Sequence, residues 1–291
     1  MRLTCIEDHL HYAFSADLPP VLTVNPGQRL VVETLDASHG QIRPGRDVPV
    51  DRSRLLPITG PVAVAGARPG DALQLSFEQI EFSPVGHAWV RPGLGILELD
   101  AGKPLYVREF RVSDRVEVAP GVSIPLRPML GIVGVATPEP TPARLPGVHG
   151  GNLDCVDVTT GNQLLLPVLA PGGNLSLGDA HAAMGEGEVS GSGIEIAATV
   201  TFTVDLIPDA GLDGPVVLTP HKTAFLASEA SLDRAVPAAL QRALRALTER
   251  GGQSPDEAYL TASIAGNARI CQVVNGLVTA AFELPREVFQ W

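Results

Sequence analysis

Ile194-Glu-Ile-Ala-Ala-Thr-Val-Thr-Phe-Thr-Val-Asp-Leu206 is the stretch that decides the fold class. Ile194, Ile196, Ala198, Val200, Phe202, Val204 and Leu206 fall on one side of an extended chain, and Glu195, Ala197, Thr199, Thr201, Thr203 and Asp205 on the other. Successive side chains of a strand point to opposite faces, so this unbroken alternation predicts one long, half-buried strand and fits no helix. Working outward, short apolar runs alternate with turn signals through the first 220 or so residues. Pro-Gly pairs at 26–27, 69–70, 92–93, 120–121, 146–147 and 171–172 mark turns. Strands are expected at Leu30–Leu35 and Ala72–Phe82, a meander over Leu105–Val118 and Val122–Leu126, and a buried strand at Leu164–Leu169. That last strand is expected to turn at Pro171-Gly-Gly-Asn174 and pair with Leu175–Leu177.

The composition changes after about residue 220. Ser231–Arg250 is rich in alanine and leucine at helical spacing, with Pro237 placed to break its first turns, and Gly251-Gly252 ends it. Ser254-Pro255-Asp256-Glu257 reads as a helix start, with an N-cap serine, a first-turn proline and acids at the positive end of the helix. Strands near Ile270–Val274 and Leu277–Phe282 follow. The division expected is a β-rich body over 1–220, with a proline-rich loop at 137–147, and an α+β portion over 221–291.

With 45% hydrophobic residues the 291-residue chain can build a large core. A net charge of −11 argues against nucleic acid and anionic membrane as partners. Cys5, Cys155 and Cys271 lie too far apart for a disulfide scaffold or a thiolate zinc motif. The N-terminus shows no signal pattern and no apolar run reaches membrane length, so a soluble, cytoplasmic protein is expected.

Chemistry-bearing residues concentrate just before the long alternating stretch. The segments are His149-Gly-Gly-Asn152-Leu-Asp154-Cys155, Gly178-Asp179-Ala-His181-Ala-Ala-Met-Gly-Glu186-Gly-Glu188 and Gly193-Ile-Glu195. Histidines and carboxylates set among glycines can hold a metal or move protons where the backbone comes close to a ligand. Asp179 and His181 are two apart in an extended run and share a face; Asp154 arrives from another segment. An isolated Asp-x-His pair more often orients a surface histidine, but the local density of acids favours a divalent hydrolytic site.

These segments, together with Leu166-Pro-Val, Asp36-Ala-Ser-His39-Gly-Gln41, Arg91-Pro-Gly-Leu-Gly-Ile-Leu97, Ala258-Tyr-Leu-Thr-Ala-Ser-Ile-Ala-Gly-Asn267-Ala-Arg-Ile270 and Leu284-Pro-Arg-Glu-Val-Phe289, resemble the acetamidase/formamidase family over nearly the whole chain. The resemblance implies a mainly β fold, a sandwich- or barrel-like body with a smaller C-terminal α+β portion. It implies hydrolysis of formamide, acetamide and related small amides to carboxylate and ammonia. It also implies a bound divalent metal, zinc first and calcium as the alternative. The chain departs from the family pattern at Asn267, where aspartate is usual, and at His39 and His87.

On this basis Asp36, Asp154, Asp179 and His181 are the expected metal ligands. Glu188 is the expected general base, with Glu195 a second candidate for either role. Gln41, His149, Asn152 and Glu186 are expected to touch substrate or support these groups. Simpler roles stand beside these. Asp36 at a strand end suits a turn that accepts backbone N–H groups, and His149 suits a hydrogen bond to a loop carbonyl. Cys155 beside Asp154 reads as a small buried residue, because a neighbouring carboxylate raises a thiol pKa. Ser190 and Ser192 suggest a serine amidase, but the two lysines, Lys103 and Lys222, lie far from them in sequence. The substrate expected is a small aliphatic amide, and the assembly a homodimer or larger homo-oligomer. The alternatives are hydrolysis of a lactam on the same scaffold, or a calcium-containing β-sandwich module that binds a small ligand without turnover.

Overall fold

The structure is a computed structural model that describes residues 1–46 and 48–291. Within them two nine-stranded sheets carry most of the chain. The first runs in the order Arg2–Leu3, Gln28–Thr34, Ala198–Ile207, Ala72–Phe82, Gln163–Pro167, Val216–Leu218, Lys222–Glu229, Val278–Pro285, Asn267–Gln272. The second runs Gly150–Asn152, Met129–Gly134, Leu175–His181, Glu195–Ile196, Val85–Val90, Tyr106–Arg111. Ile58–Val64 joins it along Leu175–His181 and brings in Leu10–His11 and Leu22–Val24. The fold is mainly β with a smaller C-terminal α+β segment, as expected.

One apolar core lies between the sheets. Leu30, Val32, Leu75 and Phe202 of the first meet Val62, Leu130, Val133 and Leu177 of the second in a single buried cluster. That shared core explains where the alternating stretch departs from expectation. It is not one strand. Glu195–Ile196 pairs with Ala180–His181 and His87 in the second sheet, and Ala198–Ile207 pairs with Gln28–Thr34 and Ala72–Phe82 in the first. The chain changes sheets at Ala197. Both sheets face the same core, so Ile194, Ile196, Ala198 and Val200 stay buried in register across the switch, and periodicity carries no mark of it.

The expected pairing of Leu175–Leu177 with Leu164–Leu169 is also overturned. Gln163–Pro167 lies in the first sheet, whereas Leu175–His181 pairs with Met129–Gly134 and Ile58–Val64 in the second. Gly172, Gly173 and Asn174 take φ of 80°, 70° and 46°. Three successive left-handed residues carry the chain from one sheet to the other, where a tight hairpin uses two. All seven residues of Leu175–His181 are buried, which fits a central strand covered on both faces.

The C-terminal segment packs on the outer face of the first sheet. Helix α1 (Leu232–Glu249) presents Ala235, Ala239, Ala243, Ala246 and Leu247 to a second core containing Phe225, Phe282 and Leu284. Alanines along one stripe let the helix lie close to the strands. Pro237 sits inside α1 without breaking it, because its ring is exposed and the first turn closes through Ala235 N donating to Ser231 O at 2.9 Å. Helix α2 (Pro255–Ala265) starts with a capping box. Ser254 accepts from Glu257 N, and Glu257 accepts from Ser254 N at 2.9 Å. The expected division near residue 220 falls between Val216–Leu218 and Lys222–Glu229, which pair with each other, so the last strands continue the first sheet. Among the described residues no helix is long and apolar enough to cross a membrane.

Candidate functional site

The central strand Leu175–His181 brings Asp179 and His181 to one end of the second sheet. Glu195 pairs with His181 across the ladder, and Asp154 follows Gly150–Asn152, which lies one strand beyond Met129–Gly134 in the same sheet. Glu188 comes from the loop between Leu175–His181 and Glu195–Ile196, held by Gly187 N donating to Cys271 O at 2.8 Å and Val273 N donating to Gly187 O at 3.2 Å. Two groups result, both containing His181: Asp154, His181 and Glu188, and Asp179, His181 and Glu195. In each, one donor atom per residue lies within 4.8 Å of the others.

The imidazole stands between the two groups. Its Nδ1 is 3.8 Å from Asp154 Oδ1, and its Nε2 is 3.4 Å from Asp179 Oδ1 and 3.1 Å from Glu195 Oε2. None of these contacts has hydrogen-bond geometry. Both ring nitrogens and all three facing oxygens are buried without a hydrogen-bond partner among the described residues. Buried polar groups are nearly always paired, because an unpaired one loses its hydration for nothing in return. Five unpaired atoms converging on one space therefore fit a cation ligated there.

The backbone supports this. Asp154, Asp179 and Glu188 take φ of 41°, 57° and 46°. Left-handed conformations are costly for residues with a side chain and persist where the surroundings impose them, often at functional sites. Gly131 and Gly193 leave room beneath the cluster. A Cβ at Gly131 would lie 2.4 Å from Asp154 Oδ1, and one at Gly193 would lie 2.8 Å from His181 Nδ1.

Burial drives the electrostatics. It pushes Asp154 up to about 6 against the pull of His181, with Asp179 adding to the rise. It pushes Glu195 up to about 8, and Glu188 well above the usual carboxylate range, where Asp154 adds to the rise. Burial opposes charge on His181 too, but Glu195 and Asp179 overcome it and raise the imidazole well above its ordinary value. So many buried acids around one imidazole cannot all ionise unless more positive charge enters the site.

The acids form the floor of a cavity of about 520 Å³, with Asn152, Asp154, Asp179, Glu188 and Glu195 in its lining. Asn152, oriented to satisfy its amide, donates to Asp154 Oδ2 at 3.0 Å and Asp179 Oδ2 at 3.2 Å. Asn275, which the sequence reading missed, donates to Asp154 Oδ2 at 2.6 Å from the C-terminal segment. Asn275-Gly276 reads as a hairpin turn in sequence, and nothing in that signal points to Asp154.

Other expected residues lie elsewhere. Asp36 belongs to neither group. It accepts from Ser38 N at 3.0 Å and pairs with Arg43 at 2.8 Å; although burial opposes its ionisation, Arg43 and Ser38 hold its pKa below the ordinary value. Gln41 braces the same loop by bonding both backbone groups of Asp51. His149 is buried edge-on against Phe14, with centroids 5.0 Å apart, and burial lowers its pKa to about 4. Glu186 pairs with Arg269 at 3.0 Å, outside the cavity. His39 contacts Tyr12 OH at 3.0 Å, His87 lies opposite Glu195 in the ladder, and Asn267 is exposed at a strand start outside the cavity.

Cys155 is buried, as expected, but its thiol pKa is not raised. A hydrogen bond from Cys271 lowers it, burial opposes this, and Arg269 lowers it further. The sequence reading gave weight to the adjacent Asp154; the structure places Arg269 Nη2 3.8 Å from the sulfur.

Comparison with known proteins identifies the family. The family model described as Acetamidase/Formamidase family matches residues 2–145 and 140–291. The crystal structure of a recombinant predicted acetamidase/formamidase from Thermoanaerobacter tengcongensis is 36% identical, with a TM-score of 0.94 over 99% of this chain and 96% of that one. An acetamidase from Bacillus halodurans is 33% identical, with a TM-score of 0.92 over 99% and 98%. The formamidase of Methylophilus methylotrophus is 26% identical, across 98% of this chain and 90% of its own. With a family model matched from end to end and folds that superimpose over nearly their full lengths, this chain belongs to the acetamidase/formamidase family.

Proposed function

We propose that the protein is a divalent-metal-dependent amidohydrolase that cleaves small amides to carboxylate and ammonia. The observation that carries the reading is the set of unpaired, buried donor atoms on Asp154, Asp179, Glu195 and the His181 they surround, the three acids lining an open cavity. The donor set fits a divalent ion, with His181 offered to both groups and Asp154, Asp179, Glu188 and Glu195 around it. An imidazole ligand suits zinc, whereas calcium takes oxygen ligands, so zinc is the preferred metal. Such an ion supplies Lewis-acid chemistry, polarising the amide carbonyl and lowering the pKa of water.

The chain's own groups supply the rest. Glu188 accepts the proton of the attacking water and delivers it to the departing nitrogen, since an amide anion is a very poor leaving group. Burial, with Asp154 beside it, raises its pKa well above the usual carboxylate range and so makes it a stronger proton acceptor when ionised. Asn152 and Asn275 fix the carboxylates of Asp154 and Asp179 by donating to their outer oxygens. Asp36 sets the loop through Arg43 and takes no part in ligation.

Ammonia release measured over formamide, acetamide and longer amides tests the reading. Turnover of at least one linear primary amide is expected. Metal binding with no ammonia from any amide would instead favour a binding module.

A further inference from the structure

The cavity is larger than a minimal amide needs. About 520 Å³ would hold on the order of fifteen waters and lies in the range of sites that enclose ligands of drug-like size. Formamide or acetamide fills only its floor. Its basic lining residues are Arg52, Arg91 and Arg144. They come from three separate segments: the short turn Arg52–Arg54, the loop after Val85–Val90, and the loop at 143–149. Arg52 and Arg144 are exposed and Arg91 is half-buried, so they stand at the open end while, among the described residues, every acid in the lining is buried.

None of the three makes a salt bridge or side-chain hydrogen bond among the described residues. Arg43, Arg54 and Arg269, by contrast, are each tied to a carboxylate. This matters in a chain with 32 acidic and 21 basic residues, where acids to pair with are in excess. Between rim and floor the wall is apolar, including Leu55, Leu56, Trp89 and Leu94.

Resting on the amidohydrolase reading, we propose that the preferred substrate is the monoamide of a dicarboxylic acid. The amide reaches the acid floor, an apolar spacer crosses the wall, and the distal carboxylate meets the arginines. Guanidinium groups match carboxylates in shape and charge and can bond them bidentately. The reaction breaks the C–N bond, joins the water oxygen to the acyl carbon and transfers a water proton to nitrogen. The second water proton passes from the new carboxyl group to ammonia, so the products are a dicarboxylate and ammonium.

The test compares kcat/KM for a series of linear dicarboxylate monoamides with that for uncharged primary amides of matched length. Wild-type protein and the combined Arg52→Gln, Arg91→Gln, Arg144→Gln variant are both assayed. A preference for the charged amide of roughly tenfold or more is expected. It should shrink at high ionic strength, because exposed charges are screened, and collapse in the variant. The ratio is insensitive to any general loss of active protein. A wild-type ratio near one, or a preference that survives the triple substitution, overturns the proposal while leaving hydrolysis of neutral amides intact. Calorimetric titration with the dicarboxylate product gives a reading that does not need turnover. Binding that is lost in the triple variant supports the rim site even if no amide is cleaved; binding that ignores the arginines, or none, overturns it.

Discussion

Glu188 is only 7% exposed, lies in the left-handed region and has its pKa raised by burial and Asp154. Replacing it with glutamine keeps size and shape but removes the proton acceptor. Glu188→Gln is expected to lower kcat for acetamide or formamide by about 10²–10⁴-fold with metal content unchanged. Loss of the metal would make Glu188 a ligand and move the base role to Glu195. Gly131 gives a second expectation. Its added Cβ would lie 2.4 Å from Asp154 Oδ1 and 2.8 Å from Asp179 Oδ2, while Asn275 holds the Asp154 carboxylate through Oδ2 and Asn152 donates to Asp179 Oδ2. Gly131→Ala should therefore reduce metal content and activity together, read by metal analysis beside ammonia release; full metal occupancy would contradict it. At this scale the sequence was informative where residues are local. Asp179 and His181 share a strand, and the glycine-rich segments hold Asp154, Glu188 and Glu195. It was uninformative where the partner is distant. Asp36 carried two readings, metal ligand and turn residue; it accepts from Ser38 N and pairs with Arg43, a partner the sequence does not reveal, and Asn275 reaches Asp154 from 121 residues away.

Elements were legible in proportion to how local their causes are. Ala72–Phe82 was bounded correctly and the start of α2 placed correctly, since a strand's alternation and a capping box are written within a few residues. Sheet membership was not legible. Both sheets share one core, so the alternation in Ile194–Leu206 continues through the change of sheet at Ala197. The turn at 171–174 was read correctly as a turn but not as a crossing between sheets. Pro237 offers a test at this level. Past the first turn of α1, a proline removes a backbone donor and crowds the preceding carbonyl. Its exposed ring gains no buried contact in exchange. Pro237→Ala is expected to stabilise the protein by about 1–2 kcal/mol, less than the full helix penalty because proline also restricts the unfolded chain. Denaturant unfolding checks this, and a lowered midpoint would contradict it.

For the whole molecule, the buried acids link stability to pH and metal. In metal-free protein burial pushes Glu195 up to about 8 and Asp154 up to about 6, against about 4 in an unfolded chain. Folding favours their protonated forms, so the stabilisation they give is full below about pH 4 and is lost as pH rises through 6 and 8. His149, lowered to about 4, has an unfolded pKa of about 6.5; its neutral-form contribution is complete above that value and flat beyond it. The Tm of metal-depleted protein should therefore fall between pH 6.5 and 8. Zinc should raise it more at pH 8 than at 6.5, because metal competes with these protons. A flat or rising Tm in the metal-free protein would contradict this assignment. The central claim, that this site hydrolyses amides through a divalent ion, is tested most directly by titrating chelator-depleted protein with zinc while measuring ammonia release from acetamide or formamide. The account predicts negligible release from depleted protein and a rate that climbs with zinc occupancy to a plateau. Undiminished hydrolysis by protein shown to contain no metal would contradict it.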